Sequence, residues 1–177
     1  MSFIDRDYNG GTYHYARASA NNGVFCTTSS YNGSGVGAPV TSLLDVFQRE
    51  VVHVPSGNYV IVYDRVVKAT GGGATNDILR WHTLNPMTTV FSTYKTDAGN
   101  NRMFRRLITS SATPFQPTYL NRQSTDHGST TYREEQTLSL SGGSSYILTV
   151  FQLTTTGTAS MQAMSEIPQA GINLPLD

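Results

Sequence analysis

The stretch VFQREVVHVPSGNYVIVYDRVVKA (46–69), followed by ILRWHTL (78–84), decides the fold of this chain. From Tyr59 to Lys68, β-branched and aromatic residues alternate along the chain with a period of two. This pattern suits a pleated surface, and no helical period fits it as well. The sequence therefore predicts a long β-hairpin followed by a third strand.

Two charged residues, Asp64 and Arg65, interrupt this apolar run in mid-strand. Charges that become covered are normally paired. If Pro55 to Asn58 form a four-residue loop, the ladder places Arg49 directly opposite Asp64 and predicts a cross-strand ion pair. A change of one residue in loop length would send the two side chains to opposite faces, so the pair tests the register.

Length and composition set the broad class of protein. The 177 residues suit one domain, predicted over 1–177, which is large enough to bury a core without metals or disulfides. Twelve basic and twelve acidic residues balance, so we expect neither a nucleic-acid partner nor an anionic membrane surface. Cys26 is the single cysteine, which excludes an internal disulfide. Met1 to Gly11 is polar and predicts no signal peptide, and no apolar run approaches the roughly 20 residues that span a bilayer.

Strand-like segments separated by Gly-, Asn- and Ser-rich turns fill most of the chain. Such spacing predicts an all-β fold, an antiparallel β-sandwich of about ten strands with little or no helix. One short helical turn within Val40 to Glu50 is the alternative for the approach to the hairpin. The predicted strands are Thr12 to Ala18, Gly23 to Thr28, Phe47 to Val54, Tyr59 to Ala69, Ile78 to Leu84, Thr88 to Tyr94, Arg102 to Ser110, Thr130 to Leu140, Tyr146 to Thr155 and Thr158 to Ala163.

Several blocks carry a resemblance to a known family. GNYVIVYDRVVKA (57–69) followed by LRWHTLNP (79–86), with an arginine in the preceding QREVVHV, resembles the C-terminal β-sandwich domain of heparinase II/III-like polysaccharide lyases. In that family a Tyr-Asp-Arg-Val strand precedes a tryptophan and histidine strand. TYHYARASANNGVF (12–25) and SYILTVFQLTTTGTASMQAM (145–164) are similar to flanking strands, so the resemblance extends from about Thr12 to Met164.

The resemblance implies a sandwich that packs against a helical toroid, with the lyase cleft between the two domains. Ten strand-like segments leave no room for the toroid, so we expect the sandwich portion alone or a stand-alone relative. The implied partners are a polysaccharide, acidic in the family, and a toroid domain in the parent protein. A bacterial, periplasmic or secreted location follows if the chain is part of an exported lyase.

The resemblance also bears on metal and histidine chemistry. Some family members hold zinc through histidines and an aspartate, but Ala18 and Ser19 occupy the position expected for that aspartate. The four histidines, His14, His53, His82 and His127, show no spacing typical of a metal site. We therefore predict no cofactor, with zinc as the alternative. His53 and His82 are predicted to be partly buried strand residues with backbone partners. Of the two, His82 is the better functional candidate because the resembling Trp-His strand faces the cleft in some relatives.

Two sets of residues are predicted to bind an acidic glycan. In a strand, Tyr13, Tyr15 and Arg17 share one face, where tyrosine rings stack on sugars and arginine grips a carboxylate or sulfate. Arg102 and Arg106 share a face of a later strand, with Arg105 on the opposite face. The alternative for both sets is a solvated sheet surface, with the arginines balanced by Glu134 and Glu135.

Three functions from different classes remain open. The first, which we prefer, is an accessory sandwich domain of a heparinase-like lyase that supports or contacts an acidic polysaccharide. The second is an independent, lectin-like carbohydrate-binding module. The third is a lyase confined to this domain, for which Tyr13, His14 and His82, together with Arg17, are the catalytic candidates because a lyase needs a charge neutraliser and a base.

Overall fold

The computed structural model describes residues 2–20, 44–70, 76–90, 93–109, 118–124, 131–139 and 143–163. Within these ranges lie eleven strands and one 3-10 turn, Pro55–Gly57. No helix of this part of the chain has the length and apolarity needed to cross a membrane. The strands are β1 (Ser2–Asn9), β2 (His14–Ala20), β3 (Leu44–Val54), β4 (Tyr59–Lys68), β5 (Asn76–Thr83), β6 (Thr88–Val90), β7 (Thr93–Ala98), β8 (Asn101–Thr109), β9 (Thr118–Ser124), β10 (Thr131–Ser139) and β11 (Ser144–Thr155).

The strands form two antiparallel sheets, in keeping with the predicted all-β sandwich class. The large sheet has eight strands in the order β1-β2-β3-β4-β11-β8-β7-β6, and the small sheet has the order β5-β10-β9. The late strand β11 lies between β4 and β8 and pairs with both along most of its length. The first and last strands of the described chain are therefore joined in one sheet through long-range pairing.

The predicted hairpin register is present. Val54 lies opposite Tyr59 and Arg49 lies opposite Asp64. The loop is a single 3-10 turn closed by Asn58 in the left-handed region (φ 53°), which asparagine tolerates better than most residues. Arg49 donates from Nε and Nη2 to the two carboxylate oxygens of Asp64 at 2.7 and 2.9 Å. Both charges therefore meet in a bidentate pair, with the Asp64 side chain fully buried.

Trp81 of β5 joins the two sheets on what we call the inner face of the large sheet. Its ring lies edge-on to Phe151 with centroids 5.0 Å apart, and it packs against the buried Ile147. The guanidinium groups of Arg49 and Arg105 lie 5.1 and 6.0 Å from the centroid of the ring. The single tryptophan thus anchors the small sheet through apolar packing and two cation-π contacts.

A second core lies on the opposite, outer face of the large sheet. Phe104 and Val150 are buried there beneath Met161, which belongs to the segment that follows β11. Arg102 holds this segment by donating to the Thr158 carbonyl at 2.5 Å, and the hydroxyls of Thr154 and Thr158 are 2.7 Å apart. The segment 156–163 therefore covers the β8 and β11 half of the outer face.

The structure corrects several sequence predictions. The strand predicted over Thr88 to Tyr94 is two strands, β6 and β7, which pair with each other from Val90 and Thr93 outward. Thr158 to Ala163 is irregular and not a strand, and the chain from Leu44 is extended, with no helical turn. Strands β1, β7 as a separate element and β9 were not predicted. The predicted strand Gly23 to Thr28 lies outside the described residues.

Candidate functional site

The hairpin that joins β1 to β2 carries an exposed aromatic pair. The rings of Tyr8 and Tyr13 have centroids 5.0 Å apart and are 51 and 42% exposed. The Gly10 backbone amide donates to the Tyr13 carbonyl at 3.1 Å, which closes the turn. A Cβ atom at Gly10 would lie within 3 Å of the end of the Tyr8 ring, so a side chain at residue 10 would require this exposed ring to move. Tyr13 itself precedes β2, which begins at His14.

A polar row runs across the outer face beside this pair. The Tyr15 hydroxyl donates to Glu50 Oε2 at 3.1 Å, and Gln48 Nε2 donates to Glu50 Oε1 at 2.7 Å. Arg17 lies between Arg6 and Glu50 in register, directly opposite both. Tyr15 and Arg17 therefore share a face as predicted, and Arg6 joins them.

The electrostatics of this row favour neutral tyrosines. Partial burial raises the pKa of Tyr15, and the negative charge of Glu50 and the hydrogen bond to it raise it further, against the opposing pull of Arg17 and Arg6. Burial likewise raises the pKa of Tyr63, which lies opposite Glu50 on β4. Both hydroxyls keep their protons at neutral pH, and Tyr15 donates its proton to Glu50.

The same face continues onto β4 and β11. The rings of Tyr63 and Tyr146 stack with centroids 6.4 Å apart and an angle of 18° between their planes. Arg65 lies directly opposite Tyr146 in the ladder. We call the side chains of this half of the outer face the tyrosine-arginine face, and its members are Arg6, Tyr8, Tyr13, Tyr15, Arg17, Glu50, Tyr63, Arg65 and Tyr146.

Two of the histidines meet, but on the inner side. His14 and His53 are opposite each other on β2 and β3, with ring centroids 5.5 Å apart and edge-to-face geometry. Among the described residues no group of three His, Cys, Asp or Glu side chains is placed to hold a metal ion. Ala18, at the position where the resemblance would place a metal-binding aspartate, lies opposite Arg49 in the ladder.

His82 lies apart from the other candidates. It is exposed near the end of β5, not partly buried, at the mouth of a cleft of about 390 Å³ between β5 and the β7, β8 and β11 end of the large sheet. The cleft continues into a second one of about 310 Å³ that reaches Trp81 and Phe151, and neither is lined by Tyr13 or His14. The three catalytic candidates therefore do not line one cleft among those described.

The arginines of β8 have three different environments. Arg102 donates from Nε and Nη2 to the Asp97 carboxylate at 2.7 and 2.8 Å, so its guanidinium serves this pair and the segment 156–163. Arg106 is on the same face and lines a small cavity with Met161. Arg105 points the other way, as predicted, but it is fully buried between the rings of Trp81 and Tyr94. The alternative of a surface arginine is wrong for Arg105.

Sequence reasoning missed part of the tyrosine-arginine face. Arg6 and Tyr8 belong to β1, whose charged sequence SFIDRDYN hides its strand character. Tyr63 and Tyr146 come together only because β11 pairs with β4, and no local sequence pattern predicts this pairing. The alternation of Tyr59 to Lys68 did place Tyr63 and Arg65 on one face.

Comparisons with known proteins agree on the architecture. No family model matches the sequence, and no curated protein matches it. Among solved structures, heparan sulfate lyase HepC from Pedobacter heparinus superimposes with a TM-score of 0.60 at 12% identity, covering 89% of this chain. A heparinase III structure superimposes with a TM-score of 0.54 at 13% identity, covering 86%.

The chain spans only 22 and 21% of the length of these two lyases. At such low identity the likeness concerns the fold. The resemblance inferred from the sequence blocks is thus confirmed at the level of architecture: this chain has the fold of a β-sheet portion of heparinase III-type lyases.

Proposed function

We propose that this chain is an accessory β-sandwich domain of a heparinase-like polysaccharide lyase, which contacts an acidic polysaccharide without a complete lyase site of its own. The observation that carries the proposal is the fold likeness, which covers 86 to 89% of this chain and 21 to 22% of the lyases. The remainder of such a protein, a helical toroid by the family resemblance, would supply the other wall of the cleft.

The distribution of the candidate groups supports an accessory role. A lyase must neutralise a uronate carboxylate, remove the neighbouring proton and protonate the leaving oxygen within one site. Here His82 lies by the cleft at β5, whereas Tyr13 and His14 lie at the β1–β2 hairpin, which lines neither part of that cleft. Among the described residues each place therefore holds an incomplete set of these groups, which fits a domain that positions substrate.

The tyrosine-arginine face supports contact with an acidic glycan. It joins exposed aromatic rings to three arginines in a chain whose net charge is zero. Tyrosine rings cover the apolar faces of sugars, and arginine recognises carboxylate and sulfate with paired hydrogen bonds. The exposed Tyr8 and Tyr13 pair also favours the second candidate function, an independent carbohydrate-binding module.

The test measures binding and turnover on the purified chain. Isothermal titration with heparan sulfate, an unsulfated uronate polysaccharide and a neutral glycan should show binding to the acidic glycans. The absorbance of unsaturated product should not rise when the chain is incubated with the same polysaccharides. Product formation that His82→Ala abolishes would replace the accessory role with catalysis, and the absence of binding to every glycan would refute the contact.

A further inference from the structure

We propose that His14 and His53 form a binding site for one divalent transition-metal ion, zinc or another ion that prefers imidazole ligands, on the inner face of the large sheet. One nitrogen of each ring binds the ion, and water completes its coordination shell. The site goes beyond the proposed contact with a polysaccharide and does not depend on it. Neither histidine lines the two clefts beside His82.

The two histidines meet because β2 and β3 pair in a fixed register. His14 lies directly opposite His53 in this ladder. Side chains directly opposite in an antiparallel pair lie on the same face and have Cβ atoms about 4.5 to 5.5 Å apart. Arg49, four residues before His53 on β3, contacts the Trp81 ring on the inner face, so both histidines lie on that face. Two paired backbones therefore hold the imidazoles side by side.

The separation of the two rings suits a shared metal ion. Their centroids are 5.5 Å apart, and the angle between their planes is 87°. Zinc binds an imidazole nitrogen at about 2.0 to 2.1 Å, so two imidazoles that share one tetrahedral zinc ion have centroids about 5 to 6 Å apart. His14 is exposed and His53 is half-buried, so their rings can turn one nitrogen each toward a common point without a change in the backbone.

The charges next to the pair favour a cation. From β1 to β4, the neighbouring row of the inner face consists of Asp7, Ala16, Val51 and Val62. This row therefore carries one carboxylate and no basic side chain. On β3, the nearest basic residue of the same face is Arg49, whose charge is balanced by the Asp64 carboxylate at 2.7 and 2.9 Å. A bound cation would therefore meet the negative charge of Asp7 without an unbalanced positive charge from this part of β3.

The kind of ion follows from the ligands. Neutral imidazole suits zinc, copper and nickel, whereas magnesium and calcium prefer oxygen ligands. Among the described residues, no third His, Cys, Asp or Glu side chain joins the pair. Because zinc is usually four-coordinate, two protein ligands leave positions open for water or for an oxygen atom of another molecule. Val60 lies opposite His53 and lines the second cleft, so these open positions lie beside that cleft.

The experiment is isothermal titration of the whole chain with zinc chloride at slightly alkaline pH, because zinc binds deprotonated imidazole. We expect His14→Gln and His53→Gln each to weaken zinc binding by at least about tenfold, since even residues outside the ligand shell change metal affinity by about 10 to 100-fold. Zinc should also raise the unfolding temperature of the wild type, because it binds the folded chain, and should not raise that of either variant. Magnesium chloride should give no heat of binding. Thermal unfolding of the metal-free variants checks that the fold is intact.

Two further variants serve as matched controls for the titration. His82→Gln removes a single exposed histidine from β5 and should bind zinc like the wild type. Cys26→Ser removes the only thiol of the chain, which is a side chain that also prefers zinc, and should retain zinc binding as well.

Zinc binding that both His14→Gln and His53→Gln lose, while the two controls retain it, supports the site. Zinc binding that survives in either of these histidine variants overturns the site, and so does an equal loss in His82→Gln or Cys26→Ser. The absence of zinc binding by the wild type overturns it too. None of these outcomes decides the proposed contact with a polysaccharide, which the glycan titration tests separately.

Discussion

Arg49→Met tests whether the bidentate pair with Asp64 behaves as a buried ion pair. Removing one partner of such a pair costs about 3 to 5 kcal/mol, because the other charge is left buried without compensation. Asp64 is fully buried, whereas the Arg49 side chain is 32% exposed, so water can partly replace the guanidinium. We therefore expect the lower end, a loss of about 3 kcal/mol of unfolding free energy. The Met side chain keeps an apolar contact with Trp81.

The assay is urea unfolding followed by circular dichroism, with the fluorescence of Trp81 as a second probe. The double variant Arg49→Met, Asp64→Leu should recover most of the loss, since an apolar replacement of a whole buried pair is often neutral. Asp97→Asn is the matched control, because Asp97 is 40% exposed and the Arg102 guanidinium still donates to the Thr158 carbonyl without it, so the loss should be smaller. A loss below about 1 kcal/mol for Arg49→Met, typical of surface pairs, would refute the reasoning.

Three further predictions concern pH and packing. The Arg102 guanidinium, through its hydrogen bond, lowers the pKa of Asp97 below its ordinary 3.8. The contribution of the Asp97 carboxylate to stability is therefore present above that value and is lost as pH falls through the lowered pKa. The unfolding free energies of wild type and Asp97→Asn should therefore converge in acid. Burial and Glu50 raise the pKa of Tyr15, so the contribution of Tyr15 to stability is present at lower pH and is lost as pH rises through the raised pKa. Tyr15→Phe should be less stable than wild type below pH 10 and equal to it once the folded tyrosine ionises. Met161→Ala should cost about 2 to 3 kcal/mol in urea unfolding, because it opens the outer-face core.

Each of these predictions has an outcome that contradicts it. A constant difference between Asp97→Asn and wild type from neutral pH to acid would show that the carboxylate charge does not matter. A gap for Tyr15→Phe that persists once the folded tyrosine is ionised would assign the effect to packing. For Met161→Ala, Leu153→Ala is the control, since Leu153 is 45% exposed and its truncation should cost less. Equal losses of unfolding free energy would mean that Met161 is not buried against the outer-face core.

Much of the hairpin could be predicted from sequence because its determinants are local. The period of two from Tyr59 to Lys68 assigns each side chain to a face, and the loop Pro55 to Asn58 sets the register. The pairing of Arg49 with Asp64 follows from these two features. The split of Thr88 to Tyr94 into two strands could not be predicted, because this stretch contains no Gly, Asn or Asp, the residues that mark a two-residue hairpin loop.

The candidate site was predictable only in part, because only some of its determinants are local in sequence. Alternation along β2 places Tyr15 and Arg17 together, and this needs no knowledge of neighbouring strands. Arg6 enters the face through the pairing of β1, whose charged sequence and bulge after Ile4 are typical of an edge strand. The environments of Arg102 and Arg105 on one strand differ because one faces segment 156–163 and the other faces Trp81.

The sequence by itself determined the strand class, the hairpin register and the face on which each residue of a strand lies, since these depend on steric preferences within a few residues. Only the tertiary structure decided which strands are neighbours. The insertion of β11 between β4 and β8 stacks Tyr146 on Tyr63 and buries Arg105, residues separated by tens of positions in the chain. Such contacts arise because distant segments bury apolar surface against each other. The hydrophobic effect is non-directional, so no local sequence pattern shows which segments will meet.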